Sequence, residues 1–428
     1  MTYSAAVAYL YGLQKHGIKL GLETMQALMH RLGNPEARYR TLHIAGTNGK
    51  GSTAAIAAAV LQAAGYRVGL YTSPHLVEFR ERIRINGTMI SELEVARMTE
   101  VVQQAANGDL SPTFFECATA MAFQYFSDAQ VDIAVLEVGL GGRFDATNVA
   151  QPMACAITTI AMDHQEYLGS TPSAIAFEKA GIIKPNIPVV LGRIRGEARQ
   201  TIEQAAQERA AEVWRLDEEF RVEGSSDRFD YASGNARYTG LSCALIGDHQ
   251  MHNAACAIAL LEAANRIDLP EQALREGLAA VRWEGRLETV ERHPTVLLDG
   301  AHNPAGAAAL AEYLRSFRRT HPRSQVILVL GMMRDKDHRG FAEVLSGVAE
   351  HVVLTQADLP RSATVQELQC ELRGLLPVSS MAMVPADALA LAKRLAAPED
   401  LVCVTGSLML VGEVKAALRG CGLSPLRG

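Results

Sequence analysis

The chain has 428 residues, 48% of them hydrophobic, with a formal net charge of −6 and a pI near 6.1. That length exceeds one ordinary core and predicts two domains, with a third not excluded. The mildly acidic balance argues against nucleic acid or an anionic membrane surface as a partner, and no window approaches the ~18–20 continuous apolar residues of a membrane span. Residues 1–17 have no basic lead and no processing site. Their one sizeable apolar run, 5–13, reads as a short amphipathic helix rather than a signal peptide. The seven cysteines (117, 155, 243, 256, 370, 403, 421) are scattered without a C-x-x-C and sit mostly in apolar runs, as reduced core thiols do. A soluble cytoplasmic protein fits these features.

The first strand, 41–45, runs into His43-Ile44-Ala45-Gly46-Thr47-Asn48-Gly49-Lys50-Gly51-Ser52-Thr53, and an Ala-rich helix follows over 54–64. Glycines let backbone N–H groups turn inward around an anion, and a helix N-terminus adds a favourable dipole. Lys50 supplies a point charge for the outer phosphates of a nucleotide. The spacing departs from G-x-x-x-x-G-K-[ST]. Ile44 stands where that pattern has its first glycine, and the hydroxyls come after Gly51, as Ser52 and Thr53. A plain glycine turn would account for Gly46 and Gly49, but not for Lys50 followed at once by Gly51, Ser52 and Thr53. The segment from Gly46 through Thr47, Asn48, Gly49, Lys50 and Gly51 to Ser52 is therefore a candidate nucleotide loop.

Further strands are predicted at 67–71, 133–138, 154–159 and 188–191, with helical patterns such as 118–126 between most of them. This is the signature of a mainly parallel sheet covered on both faces. Over 212–246 aromatic and β-branched residues alternate with Gly, Ser and Asp, which predicts a small antiparallel patch. Helices follow at 253–265 and 271–281. A second α/β series begins with strand 295–298, helix 304–317, strand 326–330, helix 341–348 and strand 351–355. It continues with helices 365–375 and 386–395, strand 401–404 and helix 411–418. The fold class is α/β: an N-terminal P-loop nucleotide-binding domain with a mainly parallel sheet plus the small antiparallel patch, 1–287, and a C-terminal Rossmann-like domain, 288–428, with a charged segment at 285–294 between the two series.

Several residues could carry chemistry, and each has a plainer reading beside it. Glu137 ends an apolar run next to Gly139, Gly141 and Gly142, a place suited to a magnesium ion bound to phosphates; equally, it could pair with Arg143. His164 lies in a loop, where a histidine is commonly a surface residue, and His is an unusual magnesium ligand. Ser73 could be a turn serine, and Lys179 a solvated lysine at a helix C-terminus. Arg286 could form an interdomain salt bridge, or reach a phosphate when a cleft closes. Phe115 could be core and Asp145 a cap. His249 and His252 have no nearby cysteine and no third ligand at suitable spacing, so zinc is disfavoured.

The loop Gly46–Ser52 resembles that of the Mur-ligase superfamily, ATP-dependent enzymes that join an amino acid to a carboxylate. Within it the chain is similar to the folylpolyglutamate synthase/dihydrofolate synthase branch. The resemblance also rests on Ser73-Pro74-His75-Leu76, the run from Glu137 to Asn148, Asp163-His164, Glu178-Lys179-Ala180-Gly181-Ile182, and Asp299-Gly300-Ala301-His302-Asn303-Pro304, all in the family's order. It implies that Ser73, Glu137 and His164 ligate magnesium and that Lys179 is carbamylated toward a second magnesium ion. It places Asn253 at adenine, Arg286 and His302 at the triphosphate, and Asp299 at the ribose. Phe115 and Asp145 match positions at the dihydropteroate site of bifunctional members, where an aromatic face stacks on a pterin and a carboxylate accepts its amino protons.

The function implied is ATP-dependent ligation of L-glutamate to dihydropteroate, forming dihydrofolate, and to reduced folates, through an acyl phosphate. Lys50, His164, Lys179 and Arg286 are the catalytic candidates, with ATP and Mg2+ as cofactors. Family analogy implies a monomer acting on small molecules. A monofunctional folylpolyglutamate synthase is the alternative. A cell-wall Mur ligase is disfavoured, because the phosphate loop begins too early for an amino-terminal UDP-sugar domain. A nucleotide-regulated switch is also disfavoured, since no N-K-x-D guanine pattern occurs and the second α/β domain would stand idle.

Overall fold

The structure, a computed structural model, describes residues 1–14, 17, 19 and 21–423. The chain divides into two compact units, Met1–Ala244 with Gln250–Arg282, and Leu245–His249 with Trp283–Gly428. The amino-terminal helix forms over Tyr3–Leu13, and residues 15 and 16 of the segment read with it lie outside the described residues.

Eight strands build the first unit's main sheet: β1 Arg40–Ala45, β2 Val68–Tyr71, β3 Ile83–Ile85, β4 Thr88–Met89, β5 Ile133–Glu137, β6 Ala154–Ile157, β7 Val189–Leu191 and β8 Val213–Arg215. Their order is β4-β3-β2-β5-β1-β6-β7-β8. The six strands from β2 to β8 pair in parallel, and only the β3–β4 hairpin edge is antiparallel. β1, β5, β6 and β7 are buried along almost their whole length, which is why β5, β6 and β7 read as apolar runs rather than alternating ones, while β1 is buried despite Thr41 and His43. The chain leaves β1 toward β2 and β5 on one side and reaches β6 on the other. The carboxyl end of β1 is therefore a topological switch point, the usual place for a ligand in an open parallel sheet.

Several details depart from the sequence reading. The antiparallel patch is narrower than 212–246: it holds β9 Phe220–Ser225, β10 Arg228–Ser233 and β11 Arg237–Leu241, while β8 joins the parallel sheet through β7. Val213 on β8 packs against the core around Ile157, Val189 and Leu191, which ties that strand to the larger sheet. The helix after the nucleotide loop begins at Lys50 and runs to Ala63, because the loop's own end supplies the first turn.

The second unit's sheet has the order β12-β13-β17-β14-β15-β16, from β12 Glu288–Glu291, β13 Thr295–Leu298, β14 Val326–Leu330, β15 His351–Leu354, β16 Val378–Met381 and β17 Leu401–Thr405. Only β12 runs antiparallel. It occupies part of the charged segment at 285–294. Its residues are half-buried or exposed, as an edge strand tolerates. The core here packs Leu297, Val326, Leu328, Val352 and Leu401 of the sheet against Leu310, Leu314 and Phe341 of the helices. Among the described residues no helix is long and apolar enough to cross a membrane. Five cysteines are buried and all seven are free thiols; Cys370 and Cys421 are exposed, against the core reading.

The helix Lys50–Ala63 is buried on nearly all sides, and its alanines let a second helix, Glu271–Ala280, approach closely. At the crossing, a Cβ on Gly277 would collide with backbone atoms of Val60 and stand 2.9 Å from the carbonyl carbon of Ala59. Helix propensity alone would make Gly277→Ala stabilising by about 1 kcal/mol. Overpacking of two backbones should instead win, and Gly277→Ala should destabilise the protein by about 1–3 kcal/mol in urea denaturation. A gain in stability would contradict this packing.

Candidate nucleotide and acyl-transfer site

The loop at the end of β1 is held from behind by the strand beside it. Gly46 and Gly49 have φ of +146° and +86°, conformations open to glycine and strained for other residues. A Cβ on Gly46 would collide with Thr158 Oγ1, and one on Gly49 with Asn253 Oδ1. Thr47 N donates to Thr159 O at 2.8 Å, Asn48 N to Thr159 Oγ1 at 3.0 Å, and Thr158 Oγ1 to Asn48 O at 2.6 Å. Thr47 Oγ1 exchanges hydrogen bonds with the Ala161 backbone. The loop is thus stitched to residues 158–161, and it leads into the 14-residue helix Lys50–Ala63, with Gly51 and Ser52 in its first turn. The first turn of a helix carries N–H groups without intrahelical partners, and these attract anions. Lys50 Nζ lies against its own loop, donating to Thr47 O at 3.2 Å.

Lys179 is not the solvated lysine of the plainer reading. It is buried, and its Nζ donates to Gly46 O at 3.0 Å. Burial, reinforced by the charge of Lys50, pulls its pKa down to about 7, against the opposing pull of Asp163 and Asp145. A lysine held there keeps a substantial fraction of neutral amine near pH 7.

Glu137 ends β5 and is 5% exposed. Its Oε2 accepts from Ser73 N at 3.1 Å, so the two candidate magnesium ligands are neighbours. Arg143, its alternative partner, pairs instead with Glu178 at 2.6 Å. His164 has a left-handed backbone, φ 49°, at the start of the short helix Gln165–Leu168. Such strain in a non-glycine residue concentrates at functional sites. Its amide donates to the buried Asp163. A hard cation carrying phosphate oxygens and water needs only one or two carboxylates, and the buried Glu137 beside Ser73 meets that demand. Groups of three or more His, Cys, Asp or Glu suited to a metal do not occur among the described residues.

Phe115 packs over Gly139, where any Cβ would run into its ring, and lies 6.1 Å from the Tyr71 ring. Asp145 is buried and fully engaged. Oδ2 accepts from Gly139 N and Leu140 N, both at 2.9 Å; Oδ1 accepts from Thr147 N at 3.0 Å and Thr147 Oγ1 at 2.5 Å. A carboxylate has about four acceptor positions, so the cap reading of Asp145 describes what its oxygens do. Burial raises its pKa and these hydrogen bonds oppose the rise. Because the Thr147 hydroxyl gives its proton to Asp145, His43 Nε2 at 2.8 Å must donate to Thr147. His43 is neutral, its pKa lowered to about 3 by burial and then by Lys184. The sequence reading missed this chain, and it missed the buried Arg82, whose Nε donates to His75 Nδ1 at 2.8 Å and whose guanidinium lies 5.2 Å from the Phe114 ring centroid. An arginine inside an ordinary amphipathic stretch has no motif to announce it.

In the second unit Arg286, Asp299 and His302 converge on Gly300. A Cβ on Gly300 would collide with Arg286 Nη1, and His302 Nδ1 lies 2.8 Å from Gly300 O. Asp299 accepts from Leu287 N and Ala301 N, each at 3.0 Å.

Two family descriptions match the chain: the Mur ligase middle domain over residues 44–261 and the Mur ligase glutamate ligase domain over residues 285–408. A dihydrofolate synthase/folylpolyglutamate synthase from Bacillus subtilis is 37% identical, over 97% of this chain and 99% of the relative. Among solved structures, Escherichia coli FolC in complex with DHPP and ADP superposes with a TM-score of 0.91 at 34% identity, covering 98% of each chain. The bifunctional folylpolyglutamate synthase/dihydrofolate synthase from Yersinia pestis, complexed with AMPPNP and a Mn ion, gives 0.89 at 34% identity, again over 98% of each chain. The chain belongs to the Mur ligase family, in its dihydrofolate synthase/folylpolyglutamate synthase branch.

Proposed function

We propose that this protein is an ATP-dependent carboxylate–amine ligase that joins L-glutamate to dihydropteroate, forming dihydrofolate, and to reduced folates, extending their glutamate tails. The observation that carries the reading is the glycine loop at the switch point of a parallel sheet, with Lys50 inside it, Lys179 bonded from within the core to Gly46 O, and the half-buried Ser73 bonded to the buried Glu137 at the end of the neighbouring strand. The chain acts in the cytoplasm as a monomer on small molecules.

The reaction has two steps. A carboxylate oxygen of the acceptor attacks the γ-phosphorus of ATP, the bond to the β-bridging oxygen breaks, and ADP leaves. The glutamate amine then attacks the acyl carbon, loses its proton, and phosphate departs from the tetrahedral intermediate. Neither step needs a nucleophilic side chain. What phosphoryl transfer needs is charge held in place. The N–H groups of the Gly46–Ser52 loop cradle the phosphates, Lys50 offsets charge on the transferring group, and Arg286 and His302 serve the triphosphate. Asn253, packed against Gly49, meets adenine, and Asp299 takes the ribose. Ser73, Glu137 and His164 would hold magnesium, which would neutralise phosphate charge, and a carbamate on Lys179 would add a further anionic ligand. Phe115 offers the pterin its face. Asp145, with its oxygens committed to Gly139, Leu140 and Thr147, serves the pterin end by holding the backbone under that ring.

Three outcomes test this. Lys50→Ala should cut turnover by at least about 100-fold while leaving the melting curve unchanged, since its side chain contributes nothing to a core; unaltered turnover would sink the loop assignment. Lys179→Ala should be inactive and regain partial activity with a short carboxylic acid such as acetate, and 13C-bicarbonate should give a carbamate resonance in the unmodified protein that this variant lacks. A Lys179→Ala enzyme with full activity would remove the modification from the account. Product analysis with each acceptor addresses bifunctionality. Dihydrofolate should form from dihydropteroate, and Phe115→Ala should weaken that acceptor by about 1 kcal/mol, roughly fivefold. Glutamylation of tetrahydrofolate alone would reduce the protein to a folylpolyglutamate synthase.

A further inference from the structure

Arg286 sits in a turn that its surroundings over-determine. Its neighbours Gly285 and Leu287 are both left-handed, with φ of +67° and +45°. A leucine adopts that backbone only where other contacts impose it. The contacts are visible. The Leu287 side chain is buried in the second unit's core, and its amide donates to Asp299 Oδ2 at 3.0 Å. Gly300 N donates to Gly285 O at 2.9 Å. On the other side, Gly285 N donates to Glu288 Oε2 at 2.7 Å.

That glutamate is gripped from a distant part of the chain. Lys415, on the helix Leu408–Arg419, places Nζ 2.6 Å from Glu288 Oε2 and closer still to Oε1, and 3.1 Å from Glu284 Oε2. The Lys415 side chain is only 3% exposed. Arg419 Nη2 completes the cluster on Glu284 Oε1 at 2.7 Å. Burial pushes the Glu284 carboxyl up, but Lys415 and Arg419 outweigh it and hold the group below its usual range. A buried ammonium needs anionic partners, and any ion pair tying the helix to β12 would supply one. What distinguishes this one is the shared oxygen: Glu288 Oε2 takes Lys415 on one side and the peptide N–H preceding Arg286 on the other. The guanidinium then rests with Nη1 on Gly285 O at 3.0 Å, beside Gly300 and Leu408.

We propose that Lys415 and Glu288 are positioning residues for Arg286: the buried ion pair orients the Glu288 carboxylate, which clamps the Gly285 amide and sets the direction in which the arginine leaves its turn. The inference rests on the proposed role of Arg286 at the triphosphate, and neither Lys415 nor Glu288 touches substrate. A double-mutant cycle on the full-length enzyme tests it, with ATP, glutamate and tetrahydrofolate as substrates. Lys415→Met should lower kcat by about tenfold or more, with the KM for tetrahydrofolate unchanged, whereas in an Arg286→Ala background the same substitution should change kcat by less than about twofold. Melting curves establish which variants are folded. If Lys415→Met does not fold, Glu288→Gln, which keeps the shape and removes the charge, runs the same cycle with the same expectation. An equal loss in both backgrounds would overturn the proposal and make the cluster a general structural tie. An Arg286→Ala enzyme of undiminished kcat would overturn the role of Arg286 itself, so the two failures are told apart.

Discussion

The first unit depends on one seam, where the loop 46–50 is stitched to residues 158–161 at the end of β1. A phosphate-binding loop must aim several N–H groups at one point, and an isolated glycine-rich segment has too much conformational freedom to do so. Here the freedom is removed from behind. Gly46 lies where a side chain would strike Thr158, Gly49 where one would strike Asn253, and two threonines bond the Thr47 and Asn48 backbone. The switch point of the sheet provides the opening, because β5 and β6 flank β1 while their connections depart in opposite directions. The buried helix Lys50–Ala63 anchors the loop's far end.

The same seam governs the charges. Lys179 reaches Gly46 O from within the core, and burial together with Lys50 lowers its pKa to about 7. The charge of Lys50 disfavours a second ammonium at Lys179, and burial disfavours it more strongly. Glu137, buried at the end of the neighbouring strand, is the carboxylate we propose for magnesium. A site without a nucleophilic side chain is no puzzle for ligation through an acyl phosphate: ATP activates the acceptor, and the protein's work is to hold charge and geometry.

How much of this was legible depends on how local the signal was. The parallel strands were, because strands buried on both faces are unbroken apolar runs; 295–298 and 326–330 match the observed bounds, and the phosphate loop carries its chemistry in eleven consecutive residues. β12 was not, because an edge strand made of Glu288, Thr289, Val290 and Glu291 resembles a charged linker until its partner β13 is known. β8 was misassigned to the antiparallel patch because its neighbour in space, β7, is separated from it by a whole helix. The site divides the same way. Glu137 and Lys50 announce themselves beside glycines. Asp145 was legible as a residue of interest, yet only the structure reveals four donors on its oxygens. Lys415 lies 127 residues from Glu288, and no spacing rule reaches that far.

Activation of the acceptor carboxylate by phosphorylation can be followed by oxygen isotope transfer. Dihydropteroate labelled with 18O in both carboxylate oxygens would be turned over with ATP and glutamate, and the inorganic phosphate collected. An acyl phosphate route leaves one labelled oxygen in the amide carbonyl and delivers the other to phosphate. Phosphate free of 18O, with amide formed at the same rate, would contradict the account.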